Sequence, residues 1–171
     1  TVPVTNLKYM VGYSLSLLVS LTGFMFDLMR EKPTGIQLLE YVMGVSRRMA
    51  EMRSLAPLLS YTIDEVLKLV GAERGYIVLK NEDGSLDFRV RRDKEGRELP
   101  EGADEISHSI LEEVVQKGES LVLSNAMSDP RFYQAESVMY LRLRSIMCVP
   151  LMRQKEVIGA IYVENRSIKA V

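Results

Sequence analysis

The 171-residue chain contains no tryptophan, one cysteine and one histidine. With Cys148 as its single thiol the chain forms no intramolecular disulfide, which fits a reducing compartment. A single histidine, His108, cannot complete a cluster of His and Cys ligands, so we expect no metal site. Nucleophilic catalysis would need an activated thiol, whereas a lone cysteine in an apolar run is more often an inert side chain. We predict that Cys148 is buried and slow to react.

The chain also lacks an excess of charge of either sign. Its 22 Lys and Arg residues nearly balance its 23 Asp and Glu residues. Such a balance provides no electrostatic footprint for nucleic acid. Residues 89–97 are rich in basic side chains, but Asp93 and Glu95 are interleaved with them, which indicates a solvated turn. We therefore expect no nucleic-acid partner.

One long uncharged run is present near the N-terminus. The 18 residues from Tyr9 to Phe26 carry no charge, which is just long enough for a helix to cross a bilayer. Glycine, serine and threonine dilute the hydrophobicity of this run, so it equally fits a helix that packs against a partner. No small-x-small cleavage site follows, which argues against a signal peptide. We expect residues 1–34 to form a separate hydrophobic helix, either in a membrane or at a dimer axis.

A new helix is predicted after Pro33, where we place the boundary of a domain spanning residues 35–171. Its apolar residues recur at spacings of four and three, as in the a/d seam of a coiled coil. These residues are Leu38, Val42, Val45, Met49 and Met52. We predict that they face their symmetry mates in a homodimer. The alternative is a helix that faces the core of its own domain.

A second helix is predicted from Leu55 to Val70, because apolar residues recur there at helical spacing and Gly71 follows as a left-handed cap. Strand patterns begin at Gly75. Residues 75–80 and 86–91 flank a turn at 81–84, which predicts a hairpin.

The rest of the chain is predicted to hold one more helix and three strands. A capping box at Ser109–Glu112 begins the helix, which continues to Gly118. Residues 121–123 form a brief strand, and the chain closes with strands at 145–152 and 157–163. Because strands and helices do not alternate as βαβ units, we predict an α+β fold with an antiparallel sheet.

Taken in order, these segments resemble the GAF domain family. The similar stretches are Leu69–Gly75, Asn81–Gly84, Ile106–Val115, Ser128–Phe132, Arg144–Leu151 and Val157–Asn165. The resemblance implies a PAS-related central antiparallel sheet in the order 2-1-5-4-3, with helices on one face and a pocket lid on the other. It also implies a final helix that pairs with the first one, which we expect residues 35–171 to lack.

The resemblance implies a regulatory domain of a bacterial signalling protein. We expect it to be cytoplasmic, or anchored to the inner membrane if residues 9–26 span it. Bilin-binding members attach the pigment to a cysteine that precedes a histidine, whereas Cys148 lies in a predicted strand far from His108. Cyclic-nucleotide-binding members carry a dispersed Asn-Lys-Phe-Asp-Glu motif, of which this chain has only the asparagine and the phenylalanine, at Asn125 and Phe132. We expect no cofactor beyond an unidentified small ligand.

The expected function is therefore non-catalytic. A ligand or partner would bias the packing of paired first helices and signal to an effector domain. A pure dimerisation module and a cyclic-nucleotide-binding domain are the alternatives. The stretch from residue 125 to 143 is irregular and aromatic, as lids over ligand pockets are. The residues predicted to border such a pocket, on the sheet face away from the first helix, are Asn125, Asp129, Phe132, Tyr140 and Ser145.

Overall fold

The computed structural model describes residues 35–100, 106–132, 138–139 and 141–166. The elements are α1 (Gly35–Glu51), α2 (Leu55–Val70), β1 (Arg74–Lys80), β2 (Leu86–Asp93), α3 (His108–Lys117), β3 (Leu121–Leu123), a 3-10 turn (Ala126–Ser128), β4 (Ser145–Arg153) and β5 (Glu156–Asn165). The hydrophobic helix predicted within residues 1–34 lies outside the described residues. Of the helices that are described, none has both the length and the apolar character needed to cross a bilayer.

The five strands form one sheet in the order β2-β1-β5-β4-β3, and each neighbouring pair is antiparallel. This order confirms the predicted α+β fold and sheet topology. β5 lies at the centre because it is apolar at nearly every position and needs cover on both faces. Gly159 allows it to lie close to β1, since a Cβ at this position would collide with the Val78 carbonyl oxygen.

The helix face of the sheet is the face on which α2 packs. Side chains alternate along each strand, so Ile77 and Ile161 point to this face while their sequence neighbours point away. They form one core cluster with α2 residues such as Ile63. α2 ends as predicted at Gly71, whose φ of 66° lies in the left-handed region. Gly75 lets α2 approach β1, because a Cβ there would lie 2.8 Å from the Ile63 side chain.

α1 packs against α2, and this contact corrects the predicted dimer seam. Val42, Val45 and Met49 are only 7%, 5% and 2% exposed within the single chain. Val45 and Met49 belong to the core cluster of the helix face, and Met52 packs against it. The seam interpretation was wrong for these residues, because spacings of three and four fit a helix facing its own core as well as a symmetry mate. Leu38 is partly exposed.

The lid face is the opposite face of the sheet, and α3 covers it. Buried Ile110 and Leu111 of α3 meet strand side chains that include Cys148. The predicted burial of Cys148 is confirmed, since it is 0% exposed. The predicted capping box was wrong, because Ser107 is the N-cap of α3 and its hydroxyl lies 3.1 Å from the Ser109 hydroxyl.

Candidate functional site

A groove of about 590 Å³ lies on the lid face, between α3 and the hairpin that joins β1 to β2. We refer to it as the hairpin–helix groove. Its buried or half-buried lining is apolar and consists of Leu86, Phe88, Leu111 and Val115. Its exposed lining is mainly polar and consists of Lys80, Gly84, Ser85, His108, Glu112 and Gln116. The volume falls within the range of small-molecule sites, roughly 300–1,000 Å³.

A β-bulge in β2 shapes one wall of this groove. Val78 pairs with Phe88 and Ile77 pairs with Val90, so Arg89 is an extra residue on β2. The bulge brings Phe88 and Arg91 to the same face although they are three residues apart. The Arg91 guanidinium carbon lies 5.1 Å from the centroid of the Phe88 ring, and its Nη1 donates a hydrogen bond of 3.3 Å to the Phe88 carbonyl. Arg91 therefore holds Phe88 in place.

Four rings connect the groove with the interior of the domain. The ring centroids lie 6.5 Å apart for His108 and Phe88, 6.3 Å for Phe88 and Tyr76, and 6.0 Å for Tyr76 and Tyr162. All three contacts are edge-to-face, an arrangement that aromatic pairs favour. The Tyr162 hydroxyl accepts a 3.3 Å hydrogen bond from the Ser107 backbone N–H. This aromatic series thus joins the first turn of α3 to β2, β1 and the central strand.

The aromatic series ends beside a buried carboxylate. Glu164 is 0% exposed, and its Oε1 accepts hydrogen bonds of 2.8 Å from Arg166. Its Oε2 has no hydrogen-bond partner in the described part of the chain, although the Tyr162 hydroxyl lies near enough to favour the charged form. Burial raises the pKa of the Glu164 carboxyl to about 7, against the opposing effects of Arg166 and Arg74. Glu164 therefore changes its charge near neutral pH.

The two tyrosine hydroxyls beside Glu164 remain protonated at that pH. Burial raises the pKa of Tyr162 well above its ordinary value, and the nearby Glu164 adds to this effect. Burial and Glu164 also raise the pKa of Tyr76. Sequence reasoning missed all three residues, because Tyr76 and Tyr162 were counted among the apolar positions of their strands and the predicted last strand ended at residue 163, before Glu164. The available signal was a glutamate two positions after a tyrosine, inside an otherwise apolar central strand.

The predicted pocket residues do not line the hairpin–helix groove. Phe132 is buried in the core cluster of the lid face, with the Arg131 guanidinium carbon 5.2 Å from its ring centroid. Asp129 accepts hydrogen bonds from the Arg131 backbone N–H at 2.9 Å and from Nε at 3.1 Å. Asn125 is exposed, and its side chain caps no helix. That these three residues border a further cavity stays a prediction, and Tyr140 lies outside the described residues.

Ser145 lies on the other face of the sheet from the one predicted. It has the same strand parity as Met147 and Val149, whose side chains belong to the core cluster of the helix face. Its hydroxyl is buried and has no hydrogen-bond partner among the described residues. The prediction that Ser145 borders a lid-side cavity was therefore wrong.

The described residues offer little for catalysis. Within them, no group of three or more His, Cys, Asp or Glu side chains is arranged to hold a metal ion. Burial raises the pKa of the Cys148 thiol far above its ordinary value. A thiol that does not ionise is a poor nucleophile. The arrangement of groove, rings and buried carboxylate is better suited to binding than to covalent chemistry.

Comparison with known proteins decides the family. A family model described as a GAF domain matches residues 53–169, which is more than half of the chain. The chain belongs to the GAF domain family. The match begins after α1 and includes all five strands of the sheet. No curated protein matches this GAF domain in sequence.

Several solved structures share the fold of this GAF domain. The GAF domain of an Acinetobacter phosphoenolpyruvate-protein phosphotransferase has a TM-score of 0.60 and 20% identity, over 81% of this chain and 82% of that one. The phycocyanobilin-bound GAF domain of a cyanobacterial phytochrome has a TM-score of 0.55 and 19% identity, over 82% and 85%. A methyl-accepting chemotaxis protein has a TM-score of 0.56 and 19% identity, over 74% and 83%. Membership of the GAF domain family supports a sensory or regulatory domain, and these structures show the fold of the family.

Proposed function

We propose that this GAF domain is a non-catalytic regulatory domain that binds a small molecule in the hairpin–helix groove. The observation that carries the proposal is the position of Phe88, which lines the groove and also contacts the Tyr76 ring inside the domain. A ligand that packs on Phe88 therefore touches a side chain that is in direct contact with the buried Tyr76 ring. The groove is apolar where it is buried and polar at its rim, as in small-molecule sites.

The aromatic series provides the route by which an occupied groove would affect the rest of the domain. A ligand that moves Phe88 or the first turn of α3 changes the packing of Tyr76 and Tyr162. Tyr162 precedes Glu164 on β5, and Arg166 lies where the chain leaves the sheet. Binding energy that differs between two packings of these rings would shift the population of one over the other. Because contact alone does not demonstrate coupling, the experiment reads both ends of the series.

The experiment is a fragment screen by two-dimensional amide NMR on the full chain. We expect binding fragments to shift the amide signals of Phe88 and Leu111, and also those of Tyr162 and Glu164 at the far end. Val115→Trp fills the groove and should abolish these shifts. Fragments that bind equally well to the Val115→Trp variant would contradict the proposal.

The matched control for this variant is Val122→Trp. Val122 is 54% exposed on β3 and does not line the groove, so a tryptophan there should leave fragment binding unchanged. Shifts that remain at Phe88 without any at Tyr162 would leave the binding site in place and refute the coupling.

We also propose that the GAF domain forms a homodimer through the exposed stripe of α1. Ile36, Leu39 and Met43 are 72%, 59% and 63% exposed, and their spacings of three and four place them on one side of the helix. This stripe is distinct from the buried residues of α1. A second copy of α1 is the occupant that we propose, because a two-fold axis pairs the same apolar patch with itself.

Sedimentation of the full chain tests the dimer. Leu39→Glu together with Met43→Glu should produce a folded monomer, since both side chains are exposed in the single chain. Gln37→Glu together with Arg48→Glu is the matched control on exposed polar positions of the same helix that lie away from the stripe, and it should remain dimeric. A dimer that survives the first pair of substitutions would exclude this stripe as the interface.

A further inference from the structure

We infer that the hairpin–helix groove takes a small zwitterion with an apolar body, such as an apolar amino acid. The inference rests on the proposed function, which places a ligand in this groove, and it specifies the chemistry of that ligand. It depends on two opposite charges, Lys80 and Glu112, which lie on opposite walls of the groove. Neither has an ion-pair partner among the described residues, and the hydrophobic lining lies between the walls.

Lys80 is the charge on the hairpin wall. Two acidic side chains near Lys80 are already engaged by other residues of the hairpin. Asp83 accepts hydrogen bonds from the Ser85 N–H and hydroxyl at 2.9 and 2.6 Å, and Asp87 forms a 3.0 Å ion pair with Arg89. Asp87 also points away from the groove, because side chains alternate along β2 and its neighbours in sequence line the groove. The Lys80 ammonium is therefore available to a ligand carboxylate.

Glu112 is the charge on the helix wall. The next residue, Glu113, forms a 2.7 Å ion pair with Lys117 one turn later, whereas Glu112 has no such contact within the described residues. Its neighbour one turn earlier on the same side of α3 is His108, which also lines the groove. A ligand ammonium group at this wall would meet a carboxylate without displacing an existing ion pair.

The apolar lining determines the part of the ligand other than its two charged groups. Leu86 and Phe88 from β2 face Leu111 and Val115 from α3, so the body that contacts them must be apolar. A ligand with a single charge would leave one wall uncompensated, and an uncharged ligand would leave both. The combination favours a molecule that carries an acidic group, a basic group and an apolar side chain.

Four probes that share a phenyl ring separate these possibilities: phenylalanine, 3-phenylpropanoate, phenethylamine and 2-phenylethanol. They carry both charges, the negative charge, the positive charge and no charge, respectively. We expect phenylalanine to bind most tightly when calorimetry or amide NMR is carried out on the full chain. Each charge that is removed from the probe should weaken binding by about 1.5-fold to fivefold, as expected for ion pairs that are exposed to water.

Two variants of the chain assign each charge to its wall. Lys80→Gln should weaken the binding of phenylalanine and 3-phenylpropanoate but leave the binding of phenethylamine unchanged. Glu112→Gln should weaken the binding of phenylalanine and phenethylamine but leave the binding of 3-phenylpropanoate unchanged. Lys155→Gln and Glu119→Gln are controls at exposed positions that do not line the groove, and they should have no effect.

The outcomes distinguish this inference from the proposed function. If 2-phenylethanol binds as well as phenylalanine and Val115→Trp abolishes both, the groove is a ligand site and the zwitterion inference is wrong. The inference would also be overturned if Lys80→Gln and Glu112→Gln each weakened the binding of all four probes equally. If no probe binds, or if Val115→Trp has no effect on the binding that is seen, the inference and the assignment of the groove both fail.

Discussion

Replacing Glu164 by glutamine removes the buried carboxyl group while nearly keeping the shape of the side chain. In the folded chain, burial raises the pKa of the carboxyl from 4.5 to about 7. The folded state therefore holds a proton that the unfolded state releases between these two values. The stabilisation from this proton is fully present below about pH 4.5 and is lost as the pH rises through about 7.

The size of the effect follows from this interval. Each pH unit corresponds to about 1.4 kcal/mol. Relative to Glu164→Gln, the free energy of unfolding of the wild type should thus fall by about 3 kcal/mol between pH 4.5 and pH 8. Tyr162 remains protonated over this range, because its pKa is raised.

The assay is urea unfolding of both proteins, followed by circular dichroism at several values between pH 4.5 and 8.5. Subtracting the two curves cancels the groups that the proteins share. Glu156→Gln, at an exposed position on the same strand, controls for the loss of a carboxylate and should change stability by less than about 0.5 kcal/mol. A difference that stays flat with pH would refute the burial of Glu164. A difference of opposite slope would show that the Arg166 ion pair outweighs the burial.

Two further predictions concern β5 and β4. Gly159→Ala should destabilise the chain by about 3 kcal/mol in urea unfolding, because its Cβ collides with the Val78 carbonyl oxygen. The control Gly44→Ala has open space in α1 and should stabilise the chain by about 0.5 kcal/mol. Equal effects of the two substitutions would contradict the close approach of β5 to β1. Cys148 should react with a thiol reagent only as the chain unfolds, while a cysteine introduced by Val122→Cys at an exposed position should react at once. Equal labelling rates for the two thiols would show that Cys148 is accessible.

The sequence alone identifies the elements of this domain, because the periods of helices and strands are local properties. The apolar run at residues 157–163 predicts the central strand, which the structure extends to Glu156–Asn165. Gly71 marks the end of α2 in the sequence, and its left-handed φ confirms it. The order of the strands came from the resemblance of several segments to one family, since no local pattern states which strands are neighbours.

Tertiary structure alone decides what the side chains of these elements contact. The spacing of Val45 and Met49 is the same for a helix that faces its own core and for one that faces a symmetry mate, and only the packing of α1 on α2 selects between them. Tyr76 and Phe88 lie on the two strands of one hairpin, whereas Tyr162 lies on a strand far along the chain. The three rings meet because of the strand order and the bulge in β2. The pKa of Glu164 likewise depends on its burial at the end of the central strand. Such contacts depend on the register between distant segments, which the pattern within any one segment does not contain.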